Sequence, residues 1–289
     1  MLFGEIIEDM RKVIDNGLRD ILAYEIGYQD KIIESIGYSI FTGGKRIRPI
    51  LLLKTCEAFS GSYKQATSFA LAIEMIHTYS LIHDDLPSMD DDDFRRGKPT
   101  NHKVFGDAIA ILSGDGLLNL AFETMLDHTL NNSTCMDEYK KNIRAMDEVA
   151  RHSGIYGMVG GQVVDLLSND IAMDEDTLLF MYRCKTAALI QASVVAGTIL
   201  GGGSDKAIED MRRFGLNLGL AYQIRDDILD REEDAKMKKI TYLTYNSVQE
   251  SMEVVENLSA EAIGILGSYE DMDMEFLKDL TKFLIERKI

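Results

Sequence analysis

Tryptophan is absent from this chain of 289 residues, prolines and cysteines number three each, and the net charge is −17. Cys56, Cys135 and Cys184 are far apart and lack the spacing of a disulfide framework or a metal site, so we expect reduced thiols in a cytoplasmic protein. Excess negative charge excludes nucleic acid and anionic membrane surfaces as general partners, because their phosphates repel it. The N-terminal residues include acids where a signal peptide needs a basic start, and we expect none.

Apolar residues recur at helical spacing along almost the whole chain, whereas strand alternation and hairpin signals are missing. This pattern predicts an all-α protein of about ten helices, folded as a single domain over residues 1–289. We expect breaks at Pro87 and around residues 232–239, among other places. The longest uncharged stretch, residues 187–204, includes polar residues and glycines, which predicts a buried core helix rather than a membrane span.

Two aspartate clusters each follow an apolar run, and they contain Asp84, Asp85 and Asp90 in one and Asp226, Asp227 and Asp230 in the other. Carboxylates at the ends of buried helices are costly unless something positive compensates them. Asp226 and Asp230 share a helical face, and Pro87 interrupts the first helix so that Asp90 can fold back toward Asp84. Hard oxygen ligands favour Mg²⁺, which completes its shell with water and substrate phosphate. For either cluster alone, a solvated face is the other interpretation.

Two basic segments could bind such a phosphate. In GGKRIRP, Lys45 and Arg48 surround the start of a helix that we expect to begin at Pro49, where backbone N–H groups and the helix dipole favour an anion. Arg95 and Arg96 follow the first aspartate cluster directly, and arginine binds phosphate in a bidentate manner. The alternatives are a plain basic loop and simple neutralisation of the neighbouring aspartates.

Further polar residues lie close to these clusters in the sequence. His77 precedes Asp84 by seven residues on the same helical face, and Lys185 with Thr186 opens the long uncharged helix. A satisfied core histidine and a helix-start lysine are the ordinary interpretations of these residues. Three lysines follow the second cluster and are either diphosphate ligands or surface charges: Lys236, Lys238 and Lys239.

Five segments, in this order, resemble the trans-isoprenyl diphosphate synthases, or polyprenyl synthetases: GGKRIRP, LIHDDLPSMDDDDFRRGKPT, GGQVVDL, CKTAALI and YQIRDDILD. The resemblance covers essentially the whole chain and is greatest to bacterial farnesyl diphosphate synthases. It implies the all-helical isoprenoid synthase fold around a central cavity, a homodimer, three Mg²⁺ ions, and condensation of isopentenyl diphosphate with an allylic diphosphate.

The resemblance also implies roles for single residues. The metal ligands would be Asp84, Asp85, Asp90, Asp226 and Asp230, with Asp227 in support. The allylic diphosphate would be held by Arg95, Lys185 and Lys239, and isopentenyl diphosphate by Lys45, Arg48, His77 and Arg96. Over the reacting carbons would lie Thr186 and Gln223, with Gln162 and Asp165 supporting the site.

The chemistry that this resemblance implies needs no protein nucleophile. Mg²⁺ and arginine stabilise the departing diphosphate, so that the allylic C–O bond ionises. The isopentenyl double bond then attacks the cation, and the released diphosphate removes the final proton. A closed, dry cavity keeps water from the cation.

Product length depends on the residues just before the first aspartates. Tyr79, five residues before Asp84, resembles the aromatic floor of the family's C15 enzymes, and Ser80 is its neighbour. We therefore expect farnesyl diphosphate as the product, with geranylgeranyl diphosphate as the alternative. A core tyrosine without this role is the other interpretation.

The segment after the second cluster departs from the family pattern. Only eight residues separate Asp230 from Lys239, and the lysine that relatives carry earlier has no clear counterpart. A low-activity or non-catalytic prenyltransferase subunit is therefore a further hypothesis. A terpene cyclase is disfavoured, because GGKRIRP would then have no purpose. The basic pair Arg287 and Lys288 resembles the family's C-terminal tail.

Overall fold

A computed structural model of the chain describes residues 3–23, 27–168, 171, 173–237 and 239–286. Lys238, Arg287 and Lys288 lie outside these residues. The described chain is almost entirely helical, which confirms the predicted all-α class.

Within the described residues the chain forms fourteen α-helices rather than about ten, because three of them are short. They are α1 (Phe3–Ile21), α2 (Asp30–Ile40), α3 (Ile47–Ser60), α4 (Thr67–Asp84), α5 (Asn101–Phe105), α6 (Asp107–Asn132), α7 (Met136–Ser153), α8 (Met158–Leu166), α9 (Glu175–Met181), α10 (Ala188–Leu200), α11 (Asp205–Leu229), α12 (Arg231–Met237), α13 (Val248–Gly267) and α14 (Glu275–Ile285). A π-helix, Tyr182–Ala187, joins α9 to α10. Short 3₁₀ turns cover Lys64–Ala66 and Tyr242–Thr244.

The described chain also includes one short pair of strands, for which the sequence analysis found no signal. Strands β1 (Phe94–Arg95) and β2 (Lys98–Pro99) pair in antiparallel fashion. The turn between them has φ of 53° at Arg96 and 75° at Gly97, and two positive φ angles are the geometry that tight hairpins prefer. Two-residue strands are too short to produce an alternating pattern, so the sequence contained no signal for them.

The expected break around residues 232–239 was also wrong in part. Residues 231–237 form α12, which begins directly after Asp230. Its first turn carries Glu232, Glu233 and Asp234, and acids at a helix N-terminus interact favourably with the helix dipole. The connection after the second aspartate cluster is therefore a short helix.

The chain divides into two compact units, Met1–Leu53 with Lys64–Met146, and Lys54–Tyr63 with Asp147–Ile289. In the first unit, α4 is buried around most of its circumference and packs on α6, with Phe69, Ile73 and Ile76 fully buried. In the second unit, α10 is buried along its whole length and packs on α11, which begins at the N-cap Ser204. Each unit therefore has its own core helix. That the chain is a single domain stays a prediction.

Two helical stretches of 26 residues are long and apolar enough to cross a membrane, by length and composition only. They are α6 and the continuous stretch Glu175–Leu200, which consists of α9, the π-helix and α10. In Glu175–Leu200, 67% of the apolar window is buried inside the protein, in agreement with the core helix predicted for residues 187–204. In α6 only 33% is buried, and this helix exposes apolar side chains that include Leu112 and Leu130. The absence of a membrane span stays a prediction.

Candidate active site

The GGKRIRP segment forms the loop into α3. The helix begins at Ile47, two residues before the predicted start at Pro49, and the Arg46 carbonyl accepts from Ile50 N at 3.1 Å. Pro49 still lies in the first turn, where its missing N–H costs no hydrogen bond. Lys45 is exposed and Arg48 is partly buried. Both predicted anion ligands therefore lie at the positive end of the α3 dipole.

His77 lies on α4 within the field of four arginines. Burial is the largest cause that lowers the pKa of His77 well below its usual value, and positive charge lowers it further, from Arg48, Arg96, Arg95 and Arg46. The imidazole is therefore neutral at pH 7, and it can donate one hydrogen bond to an anion without adding a charge. The basic loop and the β1–β2 hairpin thus place their cations around this histidine.

Arg96 connects the hairpin to the basic loop. Its Nη1 donates to the Gly43 carbonyl. Gly44 has φ of 144°, and a Cβ on it would lie 2.8 Å from Arg96 Nη1, so the absent side chain makes room for the guanidinium. Burial first, and then the like charges of nearby arginines, lower the pKa of Arg96. An anion bound here would relieve this crowding of positive charge.

The first aspartate cluster folds back as its spacing predicts. Helix α4 ends at Asp84, and Asp90 N donates to the Asp84 carbonyl at 2.9 Å. Asp84 is partly buried and Asp90 is exposed. The seven-residue turn therefore brings the backbone of these two aspartates together.

Asp85 occupies a different position from its two neighbours in the cluster. It is 3% exposed, and its Oδ1 accepts from Arg95 Nε at 2.6 Å and Nη2 at 2.5 Å. Burial raises the pKa of Asp85, and the Arg95 guanidinium opposes this shift. The structure thus makes Asp85 the counter-ion of Arg95, while its role as a metal ligand stays a prediction.

The second cluster lies at the end of α11. Asp230 N donates to the Asp226 carbonyl at 2.8 Å, and Asp230 occupies the C-cap position. Asp226 is partly buried and Asp230 is exposed, one helical turn apart as predicted. Asp227 is 4% exposed and accepts from the Tyr182 hydroxyl, from Tyr242 N at 2.9 Å and from Gln223 Nε2 at 3.2 Å.

Thr186 and Gln223 are brought together in the second unit. Thr186 Oγ1 donates to Gln223 Oε1 at 2.9 Å. Since Gln223 Nε2 donates to Asp227, the amide presents its oxygen toward Thr186. Two predicted site residues from α11 and the π-helix thus form one hydrogen-bonded pair.

Lys185 lies in the π-helix and forms an ion pair with Asp165 of α8. The two elements pack closely, because a Cβ on Gly161 would lie 2.3 Å from Lys185 N. Next to Gly161, Gln162 Nε2 is buried and has no hydrogen-bond partner among the described residues. Asp165 of the central segment therefore contacts Lys185, while the supporting role of Gln162 and Asp165 in the site stays a prediction.

Lys239 follows α12, and its N–H donates to the Asp234 carbonyl at 3.0 Å. It lines a pocket of about 210 Å³ together with Asp165, and three methionines also line this pocket: Met173, Met181 and Met237. Since Asp165 pairs with Lys185, both predicted diphosphate lysines of the second unit lie around the same aspartate. The short connection therefore still brings a lysine to this region.

The two residues predicted to set product length have different surroundings. Tyr79 is 7% exposed, and its ring packs edge-on against His83 at 5.8 Å, while His83 Nε2 lies 3.0 Å from the Ile111 carbonyl of α6. Burial, and next the charge of Asp84, raise the pKa of Tyr79 to about 12. Ser80 Oγ donates to a backbone carbonyl one turn back. Ser80 lies on the Asp84 face of α4, whereas Tyr79 lies about 140° around the helix.

The donor set fits Mg²⁺. Among the described residues there is no group of three or more His, Cys, Asp or Glu side chains that could hold a metal ion. The chain instead brings aspartates together in pairs through backbone hydrogen bonds, Asp84 with Asp90 and Asp226 with Asp230. Mg²⁺ takes one or two carboxylates and fills its remaining positions with water and substrate phosphate. These pairs therefore suit Mg²⁺ carried by a diphosphate better than a metal site built from protein ligands alone.

Two residues of the site were missed by the sequence analysis. Arg46 is buried and forms ion pairs with Asp15 and Glu74. Tyr182 donates to Asp227 from the π-helix. Both act through partners far away in sequence, and no local pattern distinguishes them from ordinary loop and core residues.

Comparison with known proteins shows which family this chain belongs to. The family model described as polyprenyl synthetase matches residues 29–262. A heterodimeric geranylgeranyl pyrophosphate synthase large subunit of Arabidopsis thaliana is 42% identical over 274 residues, which are 89% of this chain and 72% of the plant protein. A geranylgeranyl pyrophosphate synthase of Catharanthus roseus is 45% identical over 80% of this chain and 67% of its own length.

Solved structures agree with these relatives. An FPP/GFPP synthase from Zymomonas mobilis superposes with a TM-score of 0.89 and 33% identity, covering 98% of both chains. A geranyltransferase from Legionella pneumophila gives a TM-score of 0.88 and 32% identity over 99% of this chain and 96% of the other. The chain therefore belongs to the polyprenyl synthetase family, the trans-isoprenyl diphosphate synthases.

Proposed function

We propose that this trans-prenyltransferase condenses isopentenyl diphosphate with allylic diphosphates and releases geranylgeranyl diphosphate as its main product. The observation that carries the proposal is the set of cations around the neutral His77, on the helix that ends at Asp84, whose backbone is hydrogen-bonded to Asp90. The cations would bind an anion directly, and the aspartates would hold Mg²⁺ that the same anion carries. A site that combines both suits a diphosphate better than a carboxylate or a nucleic acid.

In this proposal the bonds change as follows. The allylic C–O bond breaks, and diphosphate leaves with the electron pair. The double bond of isopentenyl diphosphate attacks the allylic cation, a new C–C bond forms, and the released diphosphate takes the proton that restores a double bond. Lys45, Arg48, His77 and Arg96 hold isopentenyl diphosphate, while Arg95, Lys185 and Lys239 hold the allylic diphosphate. The chain orients both substrates and excludes water.

Mg²⁺, when bound, would neutralise the charge that develops on the departing diphosphate. We propose three ions, held by the two carboxylate pairs with Asp85 in addition. Asp227 holds Gln223 through its hydrogen bond, and Gln223 with Thr186 presents oxygen atoms to the developing positive charge.

The C20 product is supported by the relatives of highest sequence identity described above, which are named geranylgeranyl pyrophosphate synthases. The helix position of Tyr79 agrees with this product, because it lies about 140° around α4 from Asp84. Ser80, the small residue beneath Asp84, would leave room for the growing chain on that face.

Farnesyl diphosphate is the second candidate product. It is favoured by the burial of Tyr79 and by the contact that fixes its ring against His83. If the growing chain runs between α4 and α6, this ring is the obstacle that stops it at C15. Tyr79→Ala would then lengthen the product, whereas under the C20 proposal this variant keeps the wild-type product.

The condensation itself is tested by diphosphate release. Purified protein is incubated with isopentenyl diphosphate and either dimethylallyl or geranyl diphosphate, with Mg²⁺ and with EDTA. We expect release that requires Mg²⁺ and both substrates, and a raised KM for isopentenyl diphosphate in Lys45→Ala. No release from folded protein would contradict the proposal and favour a non-catalytic subunit.

We further propose a homodimer in the cytoplasm. Helix α6 exposes apolar residues in the first unit, and a second copy of the chain would cover them: Ile111, Leu112, Leu126 and Leu130. Light scattering tests the dimer, since Leu112→Glu with Leu130→Glu should give monomers.

The proposed compartment has separate support. Cys56, Cys135 and Cys184 are free thiols, which supports a reducing compartment.

A further inference from the structure

Arg46 is the buried member of the basic loop. It is 4% exposed, and its guanidinium donates in three directions: Nε to Asp15 Oδ1 at 2.9 Å, Nη1 to Glu74 Oε1 at 2.6 Å and Nη2 to the Ile40 carbonyl at 2.7 Å. These partners belong to α1, α4 and α2. The side chain therefore anchors the loop to three helices of the first unit.

The backbone of Arg46 is strained. Its φ is 52°, a left-handed conformation that residues other than glycine rarely adopt, and it occupies the N-cap position of α3. Such a conformation persists only where the surroundings hold it in place, and strain of this kind concentrates at functional sites. The three charge-assisted hydrogen bonds of the Arg46 guanidinium keep the backbone in this conformation.

The conformation separates Arg46 from its neighbours in the loop. Arg46 points into the protein, whereas Lys45 is exposed and Arg48 is partly buried and acts on His77. Glu74, the strongest partner of Arg46, precedes His77 on α4 by three residues, so both lie on one helical face. The anchor of the loop and the centre of the anion site are thus one helical turn apart.

We infer that Arg46 is a positioning residue for isopentenyl diphosphate, which sets Lys45 and Arg48 around His77 through its contacts with Asp15 and Glu74. Arg46 does not touch the substrate. Because Arg46 is paired with two carboxylates, the cluster as a whole carries no net positive charge, and its main effect on the anion site is to place the loop. This inference rests on the proposed function, since it assigns the ligand of the basic loop.

Lysine cannot replace this arginine, because one ammonium group cannot reach three partners that lie in different directions. Arg46→Lys should therefore raise the KM for isopentenyl diphosphate about tenfold or more, as loss of positioning does. The kcat at saturating substrate and the KM for the allylic primer should stay near the wild-type values. Glu74→Ala should also raise the KM for isopentenyl diphosphate. Glu74→Gln keeps an oxygen acceptor for Nη1 and should raise this KM much less.

A matched control exists in the second unit. Arg212 forms a bidentate pair with Glu148, with Nη1–Oε2 at 2.9 Å and Nη2–Oε1 at 2.6 Å. Arg212→Lys disturbs an arginine–carboxylate pair that includes no residue of the basic loop, so it should lower the melting temperature and leave the KM for isopentenyl diphosphate unchanged. If Arg46→Lys fails to fold, Glu74→Ala tests the same cluster, and it should weaken binding of isopentenyl diphosphate more than Glu74→Gln does.

The deciding experiment combines calorimetric binding of isopentenyl diphosphate with steady-state kinetics on these variants. We expect wild-type binding, weaker binding in Arg46→Lys, and wild-type binding in Arg212→Lys. Equal affinity in wild type, Arg46→Lys and Glu74→Ala would overturn the inference and leave the proposed function intact. Absence of binding in folded wild-type protein would overturn the proposed function as well.

Discussion

Thr186 Oγ1 donates to Gln223 Oε1 at 2.9 Å, and this contact fixes the direction of a longer chain of hydrogen bonds. Gln223 Nε2 donates to Asp227 Oδ1, and Asp227 Oδ2 accepts from Tyr182 and from the backbone of Tyr242. An ionised carboxylate only accepts hydrogen bonds, so it orients the amide with its oxygen away from Asp227. The electronegative end of the amide thereby faces Thr186.

This chain predicts a loss of activity in Asp227→Asn. The new amide can donate as well as accept, so Gln223 is no longer held in one orientation. We expect kcat to fall by about ten- to a hundredfold with a smaller change in KM for the allylic diphosphate. Steady-state kinetics measure both. Tyr182→Phe leaves Asp227 two of its three partners and should lose less; an equal loss in both variants would contradict the argument.

The Asp85–Arg95 pair predicts a difference between two aspartates that contact the same arginine. Asp85 is buried and accepts two short hydrogen bonds, whereas Asp92 is exposed and lies 3.5 Å from Arg95. Asp85→Ala should lower the free energy of unfolding by about 2–3 kcal/mol, since it removes charged hydrogen bonds. Asp92→Ala should change it by less than about 1 kcal/mol. Urea unfolding measures both variants. Equal losses in the free energy of unfolding would contradict the argument that burial strengthens the Asp85–Arg95 pair.

Gly44 and Gly43 provide a matched pair in the basic loop. Both have positive φ, so alanine strains the backbone at either position. A Cβ at Gly44 also meets Arg96, whereas a Cβ at Gly43 meets nothing within 4 Å. Gly44→Ala should therefore raise the KM for isopentenyl diphosphate well beyond the effect of Gly43→Ala. Similar KM values in the two variants would exclude the Arg96 contact as the cause.

His77 predicts a dependence of stability on pH. Its pKa in the folded protein lies well below the value of 6.5 that it has in an unfolded chain, so the unfolded state binds the proton first. The stability due to neutral His77 is fully present above about pH 6.5 and is lost as the pH falls below it, by at most about 1.4 kcal/mol per pH unit. Urea unfolding from pH 7 to 5 should show a shallower decline in His77→Asn. Parallel declines would refute the prediction.

Local patterns predicted those parts of the site that depend on sequence neighbours. Pro87 indicated that the chain turns after Asp84, and the hydrogen bond from Asp90 confirms the turn. The i, i+4 spacing placed Asp226 and Asp230 one turn apart. The burial of the uncharged segment in α10 was likewise evident from its composition.

Contacts between distant segments were not predictable in this way. Arg46 pairs with residues 31 and 28 positions away, and Tyr182 pairs with Asp227 over 45 positions. The sequence between such partners carries no period that links them. The π-helix was also missed, because α10 after it is apolar and buried along its whole length, so the shift in register that an extra residue causes leaves no visible mark in the sequence.

The most direct test of the account supplies farnesyl diphosphate as the only allylic primer, with labelled isopentenyl diphosphate and Mg²⁺, and identifies the product by mass spectrometry. The account predicts that one isopentenyl unit is added, that geranylgeranyl diphosphate accumulates, and that EDTA abolishes the reaction. If dimethylallyl diphosphate is extended to C15 but farnesyl diphosphate is left unchanged, the C20 product is wrong. If folded protein extends no primer, the proposed prenyl transfer itself is contradicted.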